Sequence, residues 1–377
     1  MPTSLAEVKT VQALRLLAFK CGLTQGVRKA DTFSGLERAA RSHTPLHSHA
    51  RILSIDMGIK NFAFSLLSPP IPNTPGGDAR ATVHAWRNMP LELGASGRIT
   101  ADPEVVKDAK AKGADNDQVP PEAFSPQAMA WTASELVSRH LLPLRPTHVL
   151  IERQRSRSGG SSAVVEWSLR INMLEAMLYA LFTDMKARGE WDGELTPVLP
   201  SQVVSYSTKE FLQESLLDAD LASSPDVASH QRQFSIIRAM EETLSATAAR
   251  KSPKETKKHK VGIVGVMLDR GQKVTLGTDE VKATSARFLE QWRETVDAAG
   301  SRRGTRGGDP RLKLDDLADS LLQGLTWMRW QANRDVLASD DVSSLLRLYP
   351  LDNGGEEFEK LRRKYSKSMP RLKASKA

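Results

Sequence analysis

The run RILSIDMGIKNFAFSLL, Arg51–Leu67, decides the fold class. Two β-rich runs, Arg51–Asp56 and Asn61–Leu67, flank Met57-Gly58-Ile59-Lys60 in the pattern of a hairpin. Ala81–Arg87 supplies a third strand. Thr147–Glu152 supplies a fourth, in which Val149, Leu150 and Ile151 read as the interior of a mixed sheet before the acid Glu152. Thr196–Val204 offers another strand, confined to an edge or an end by Pro197 and Pro200. Helical periodicity covers Ala128–His140, Ser161–Lys186, residues 283–298 and Leu314–Trp330, and residues 207–250 read as helical and polar. Strands interleaved with helices predict an α/β fold, a mixed sheet flanked by helices.

Outward from that body the pattern loosens. Val8, Val11, Leu14, Leu17 and Ala18 predict a helix over 7–23, with Gly22 placed to stop it. A second helix, about Ala30–Arg41, follows a loop through Gly26. Residues 1–45 thus read as a small helix–loop–helix module. Ser42–Ala50, with His43, His47 and His49, reads as a polar linker. The main domain is expected over 50–345, with insertions at 97–127 and 205–260, and a basic tail over 346–377.

The chain has 377 residues and 53 Lys and Arg against 45 Asp and Glu, a formal charge of +8 that suits a polyanion. Its one cysteine, Cys21, excludes a disulfide framework and a thiolate zinc site, and reads as a small buried apolar residue. No apolar run approaches a membrane span, so no membrane partner is expected.

Chemistry is suggested by acids. Asp56 and Glu152 each end a predicted strand, and carboxylates at the ends of adjacent strands point into one crevice. Three more acids fall in Asp315-Asp316-Leu317-Ala318-Asp319, at the start of the last helix. At about 100° per residue, Leu314, Leu317, Ala318, Leu321, Leu322 and Leu325 form one stripe beside Asp315, Asp319 and Asp316. Asp319 pairs with Asp316 at i+3 or with Asp315 at i+4, and the spacing allows both. Such a set suits hard cations and a bridging phosphate. A helix-start acidic cap is the plain alternative for the triplet alone. Asp-Met-Gly-Ile-Lys-Asn also fits the opening hairpin of actin-like ATPases and sugar kinases. Those need a second glycine-rich phosphate loop, and no later Gly pair follows a convincing strand.

Ile151–Ser162, IERQRSRSGGSS, resembles the fungal mitochondrial Holliday junction resolvases, relatives of the bacterial RuvC family. Ser54–Ala63 and Lys313–Gln323 agree with the same family, in the same order. The resemblance implies a ribonuclease H-like fold, a homodimer, mitochondrial location and magnesium-dependent, two-ion cleavage of four-way DNA junctions by paired nicks. Mn²⁺ is expected to substitute, and no small-molecule cofactor is expected. Asp56, Glu152 and Asp319 match the family's metal-binding acids. The fourth falls on the Asp315-Asp316 pair, where RuvC spacing favours Asp316 and the i+4 spacing favours Asp315. The N-terminal module is similar to the SAP-like DNA-binding modules of some members.

Arg153, Gln154, Arg155 and Arg157 directly follow Glu152 and are expected to meet DNA near the branch point. Lys60 beside Asp56 is a candidate phosphate contact. Lys257, Lys258 and Lys260, and Arg302, Arg303 and Arg306, are candidates to track backbone phosphates. Helix Ser161–Lys186 is expected to give core packing and, by the resemblance, part of the dimer interface. Two alternatives stay open: a DNA-binding protein without catalysis, and a ribonuclease H-like nuclease acting on another nucleic acid.

Overall fold

The computed structural model describes residues 4–59, 61–70, 80–91, 124–154, 166–217, 232, 236–237, 253–297, 312–339 and 341–347. They divide into two compact units: residues 46–203 with 271–325, and residues 1–45 with 204–270 and 326–377.

The first of these units is built on a six-stranded sheet of order β5-β4-β1-β2-β3-β6. The strands are β1 Ile52–Asp56, β2 Phe62–Ser68, β3 Ala81–Met89, β4 His148–Glu152, β5 Glu194–Val198 and β6 Val274–Leu276. β1, β2 and β3 run antiparallel in turn, while β4 joins β1 and β5 joins β4 in parallel. This mixed sheet, flanked by helices, is of the fold class that the resemblance implies. The expected hairpin forms, and Gly58 makes it possible: a Cβ there would lie 2.5 Å from the Asn61 carbonyl oxygen. β5 lies at the edge, where Pro197 costs no ladder bond on its free side. The strand expected to reach Val204 ends at Val198 instead. Pro200 opens a helix, a position where its missing N–H is not needed.

The two sheet faces differ. Leu53, Ile55, Phe62, Phe64, Val149 and Ile151 form an apolar face. Helices α3 (Pro126–Glu135) and α4 (Glu166–Ala187) cover it with Met129, Ala133, Leu174, Leu178 and Phe182. The opposite face carries Ser54, Ser65 and Trp86 in cross-strand register. The start of the last helix, α8 (Leu314–Ala338), lies on it: Ser65 Oγ donates to the Ser320 carbonyl at 2.9 Å and Trp86 Nε1 to the Leu317 carbonyl at 2.9 Å. α7 (Asp279–Asp297) adds Phe288 against Trp86. Gly324 lets the helix come close, since a Cβ there would lie 2.3 Å from Leu67 Cδ1.

The other unit holds α1 (Val11–Lys20), α2 (Lys29–Ser42), most of α5 (Pro200–Leu217), α6 (Pro253–Asp269) and the later turns of α8. The N-terminal helix–loop–helix forms as expected, with α1 shorter than 7–23 and followed by Gly22 at φ 64°. It does not stand alone. Leu14, Leu17, Cys21 and Leu36 share a core with Leu337, Val342 and Leu345. Arg334 Nε donates to the Cys21 carbonyl at 2.9 Å, satisfying a group that the end of α1 leaves open. Lys257, Lys258 and Lys260, expected to track phosphates, lie in the first half of α6, and β6 was not foreseen. Of the expected insertions, most of 97–127 lies outside the described residues, as does most of 218–252. The tail is described only as far as Arg347.

Candidate active site

β1 and β4 are neighbouring parallel strands in the register Ile55↔Ile151, so their next residues, Asp56 and Glu152, emerge side by side at the carboxyl ends. Both leave the sheet on the face that α8 covers. The first turns of α8 bring Asp316 and Asp319 toward them. Each of Asp56, Glu152, Asp315, Asp316 and Asp319 keeps part of its surface in solvent, as a crevice open to substrate requires.

The electrostatics record the convergence. The Asp56 carboxyl is held well above the ordinary carboxylate range. Burial is the largest cause, then the hydrogen bond with the Glu152 carboxyl, then repulsion from Glu152, Asp319 and Asp316.

The fit to a cation rests on this donor set. It is all oxygen, without His or Cys, and its mutual repulsion is what a hard divalent ion relieves. Among the described residues, no three His, Cys, Asp or Glu side chains already stand as they would around an ion. The acids converge without closing a ligand cage.

Beyond the acids, the same row of the sheet continues through Ala63 to Asn88. The Asn88 Nδ2 group is buried without a hydrogen-bond partner. Behind Glu152, the Arg153 N–H donates to the Val198 carbonyl at 2.8 Å, and the Gln154 N–H donates to the Glu175 carboxylate at 3.2 Å. Arg153 itself is exposed. Glu175, on α4, is pushed above the usual carboxylate range, mainly by burial and partly by Glu152; the Gln154 N–H and Arg153 pull the other way. Asn88, Glu175 and Gln323 were not foreseen. Each is one polar residue among several in its element, and only the strand register or the helical wheel relates them to the acids.

The remaining expected contacts scatter. Lys60, Arg155, Arg157, Arg302, Arg303 and Arg306 lie outside the described residues. Lys257 and Lys258 are exposed on α6, in the other unit. Lys260, expected to track phosphates, is 9% exposed. Its place in α6 faces its own unit's interior.

The family described as mitochondrial resolvase Ydc2 / RNA splicing MRS1 matches residues 52–337. The chain belongs to this family. The span of the Ydc2-type match contains all five acids. Among curated proteins, the chain is 28% identical over 309 residues to the mitochondrial cruciform cutting endonuclease 1 of Schizosaccharomyces pombe, covering 79% of this chain and 88% of that one. Among solved structures, it is similar to the yeast mitochondrial Holliday junction resolvase Ydc2, at 25% identity and a TM-score of 0.49, over 88% of this chain and 97% of that one. Membership of a Ydc2-type resolvase family brings with it dependence on a divalent metal and a mitochondrial setting.

Proposed function

We propose that this chain is a structure-selective endonuclease that resolves four-way DNA junctions by paired symmetric nicks. The convergence of Asp56, Glu152, Asp316 and Asp319 at the strand ends of a ribonuclease H-like sheet carries the reading. Asp56, on which Glu152, Asp319 and Asp316 all act, would hold the cations together with Glu152 and Asp319. Asp316 is the fourth ligand in preference to Asp315, because it is one of the acids that press on Asp56. Mg²⁺ suits the oxygen-only set, and Mn²⁺ replaces it. What the cations supply there, when bound, is a more acidic attacking water and charge relief at the leaving 3′ oxygen.

The chain's own groups do the rest. Asp56 and Glu152 would hold the cations as carboxylates. Arg153, Gln154, Arg155 and Arg157 hold DNA beside the acids, and Glu175 fixes the backbone of that run through the Gln154 N–H. Lys60, Lys257, Lys258, Arg302, Arg303 and Arg306 add phosphate contacts, with salt-dependent affinity. The helix–loop–helix of residues 1–45 serves as a SAP-like DNA-binding module. The active species is a homodimer, since two sites about a two-fold axis cut two opposed strands. Trp131 on α3 and Leu169 on α4 are 60% and 59% exposed and belong to its interface.

The test is cleavage of a synthetic four-way junction beside linear duplex, RNA–DNA hybrid and structured RNA, with Mg²⁺ or with EDTA. Paired nicks in the junction alone, dependent on metal, are expected. Asp56→Asn should bind the junction and leave it whole. Binding without cleavage by the unaltered protein at every metal concentration would reject the nuclease reading in favour of a DNA- or RNA-binding role; preferential cutting of the hybrid would reject the junction.

A further inference from the structure

We propose that Gln323 is a positioning residue that sets the spacing between the two halves of the acid site, an inference that rests on the metal-nuclease reading above. The acids come from two sources. Asp56 and Glu152 are fixed by the sheet, through the parallel pairing of β1 with β4. Asp316 and Asp319 are fixed only by where α8 lies on that sheet. Ser65 and Trp86 tie α8 to β2 and β3, but neither bond reaches β1 or β4, and apolar contacts there would be non-directional. Metal ligands tolerate about ±0.2 Å. Something directional must therefore lock the helix to these two strands.

Gln323 does so. Its side chain is 4% exposed. Its Nε2 lies 3.1 Å from Ser54 Oγ, 3.1 Å from the Ile55 carbonyl and 3.4 Å from the Leu150 carbonyl. Ile55 immediately precedes Asp56, and Leu150 stands two residues before Glu152. One amide thus bridges both acid-bearing strands just behind the acids.

At about 100° per residue, Gln323 falls roughly 40° from Asp319 and 20° from Asp316, and about 80° from Asp315. Asp319 is four residues before it and Asp316 seven, so the three rise along one stripe. The amide that grips the strands and the two acids that meet Asp56 share one edge of α8. Gly324, at its closest approach to Leu67 and Ser54, keeps this turn against the sheet. Gln323 touches neither substrate nor ion. It acts through the helix.

The experiment uses the full chain and Mn²⁺ as the probe. Free Mn²⁺ is followed by electron paramagnetic resonance during titration of the DNA-free protein, and single-turnover junction cleavage is measured alongside. Gln323→Met keeps the side-chain volume and removes the amide. It is expected to weaken Mn²⁺ binding about tenfold, the range seen when groups behind metal ligands are removed. Cleavage should fall by a similar factor at subsaturating metal, while junction affinity in EDTA stays within twofold. Trp191→Phe is the control, because it loses a buried bond to the Pro146 carbonyl at the opposite end of β4. It should lower Tm and leave the Mn²⁺ titration unchanged. If Gln323→Met does not fold, Gln323→Asn, too short to span both strands, takes its place in the same titration. Wild-type Mn²⁺ affinity in the Gln323 variant overturns the proposal. Asp56→Asn separates that failure from a deeper one: if it too binds Mn²⁺ like the unaltered protein, the acid site itself is misread.

Discussion

The two faces of the central sheet are built from different materials. The face under α3 and α4 is almost wholly apolar: Leu53, Ile55, Phe62, Phe64, Val149 and Ile151 meet Leu174, Leu178 and Phe182. The face under α8 is inlaid with polar groups, among them Ser54, Ser65, Gln323 and the Trp86 ring nitrogen, each bonded across the interface. Apolar packing gives stability in proportion to area and has no preferred direction. Directional bonds add about 1 kcal/mol each and fix position closely. The face that carries Asp56 and Glu152 uses the second kind, so stability and registration are divided between the two sides of one sheet.

That division is breakable by substitutions on opposite sides. Glu152→Gln, on the inlaid face, removes a carboxyl that acts on Asp56 and a proposed ligand. Cleavage should fall at least about a thousandfold, roughly 4 kcal/mol of barrier, with Tm little changed; single-turnover assays at saturating junction read it. Leu178→Ala, under the apolar face, is expected to cost about 2–5 kcal/mol of stability, seen in urea titration. Its cleavage rate at 20 °C, per folded molecule, should stay within about twofold. A large cleavage defect in Leu178→Ala would show that the apolar face also registers the site.

A finer cut lies within α8. Asp316→Asn is expected to lower cleavage about a hundredfold, and Asp315→Asn by less than threefold. Equal effects from the two would remove the stripe shared by Asp316, Asp319 and Gln323 as the basis for choosing between them.

The sequence made one face far more readable than the other. Short apolar runs marked β1, β2 and β4, and the acids closing β1 and β4 were visible because a charge closing an apolar strand is conspicuous. The helical wheel showed the acidic edge of α8 but left Asp315 and Asp316 level, since spacing alone cannot say which edge meets the sheet. Gln323 was passed over within a leucine-rich helix: its partners are a hydroxyl 269 residues away and two backbone carbonyls. β6 is three residues long and pairs with β3 across most of the domain, too short for any periodicity to register. The helix α6 was hidden by its lysines, which read as a charge run while its buried half, Val264 and Val266 included, lay further along.

The smallest expected effect tests the inlaid face as a liability. Asp56 has a raised carboxyl pKa in the folded protein, against an ordinary value of about 3.9 when unfolded. Below the unfolded value both states hold the proton and the site costs nothing. As pH rises, the unfolded chain releases the proton first, so stability is lost until the folded pKa is passed, after which the loss is complete. Metal-free protein should therefore be less stable at pH 8 than at pH 4.5 through this group. Asp56→Asn should remove that part of the slope, melting higher than the unaltered chain in EDTA at pH 8 by on the order of 2 °C, with the difference closing toward pH 4.5. A divalent cation should reverse the order at pH 8, because it stabilises only the chain that binds it. A gap that does not vary with pH would mean that the repulsion among Asp56, Glu152, Asp316 and Asp319 is already relieved without metal, and that the inlaid face carries its acids at no cost to the fold.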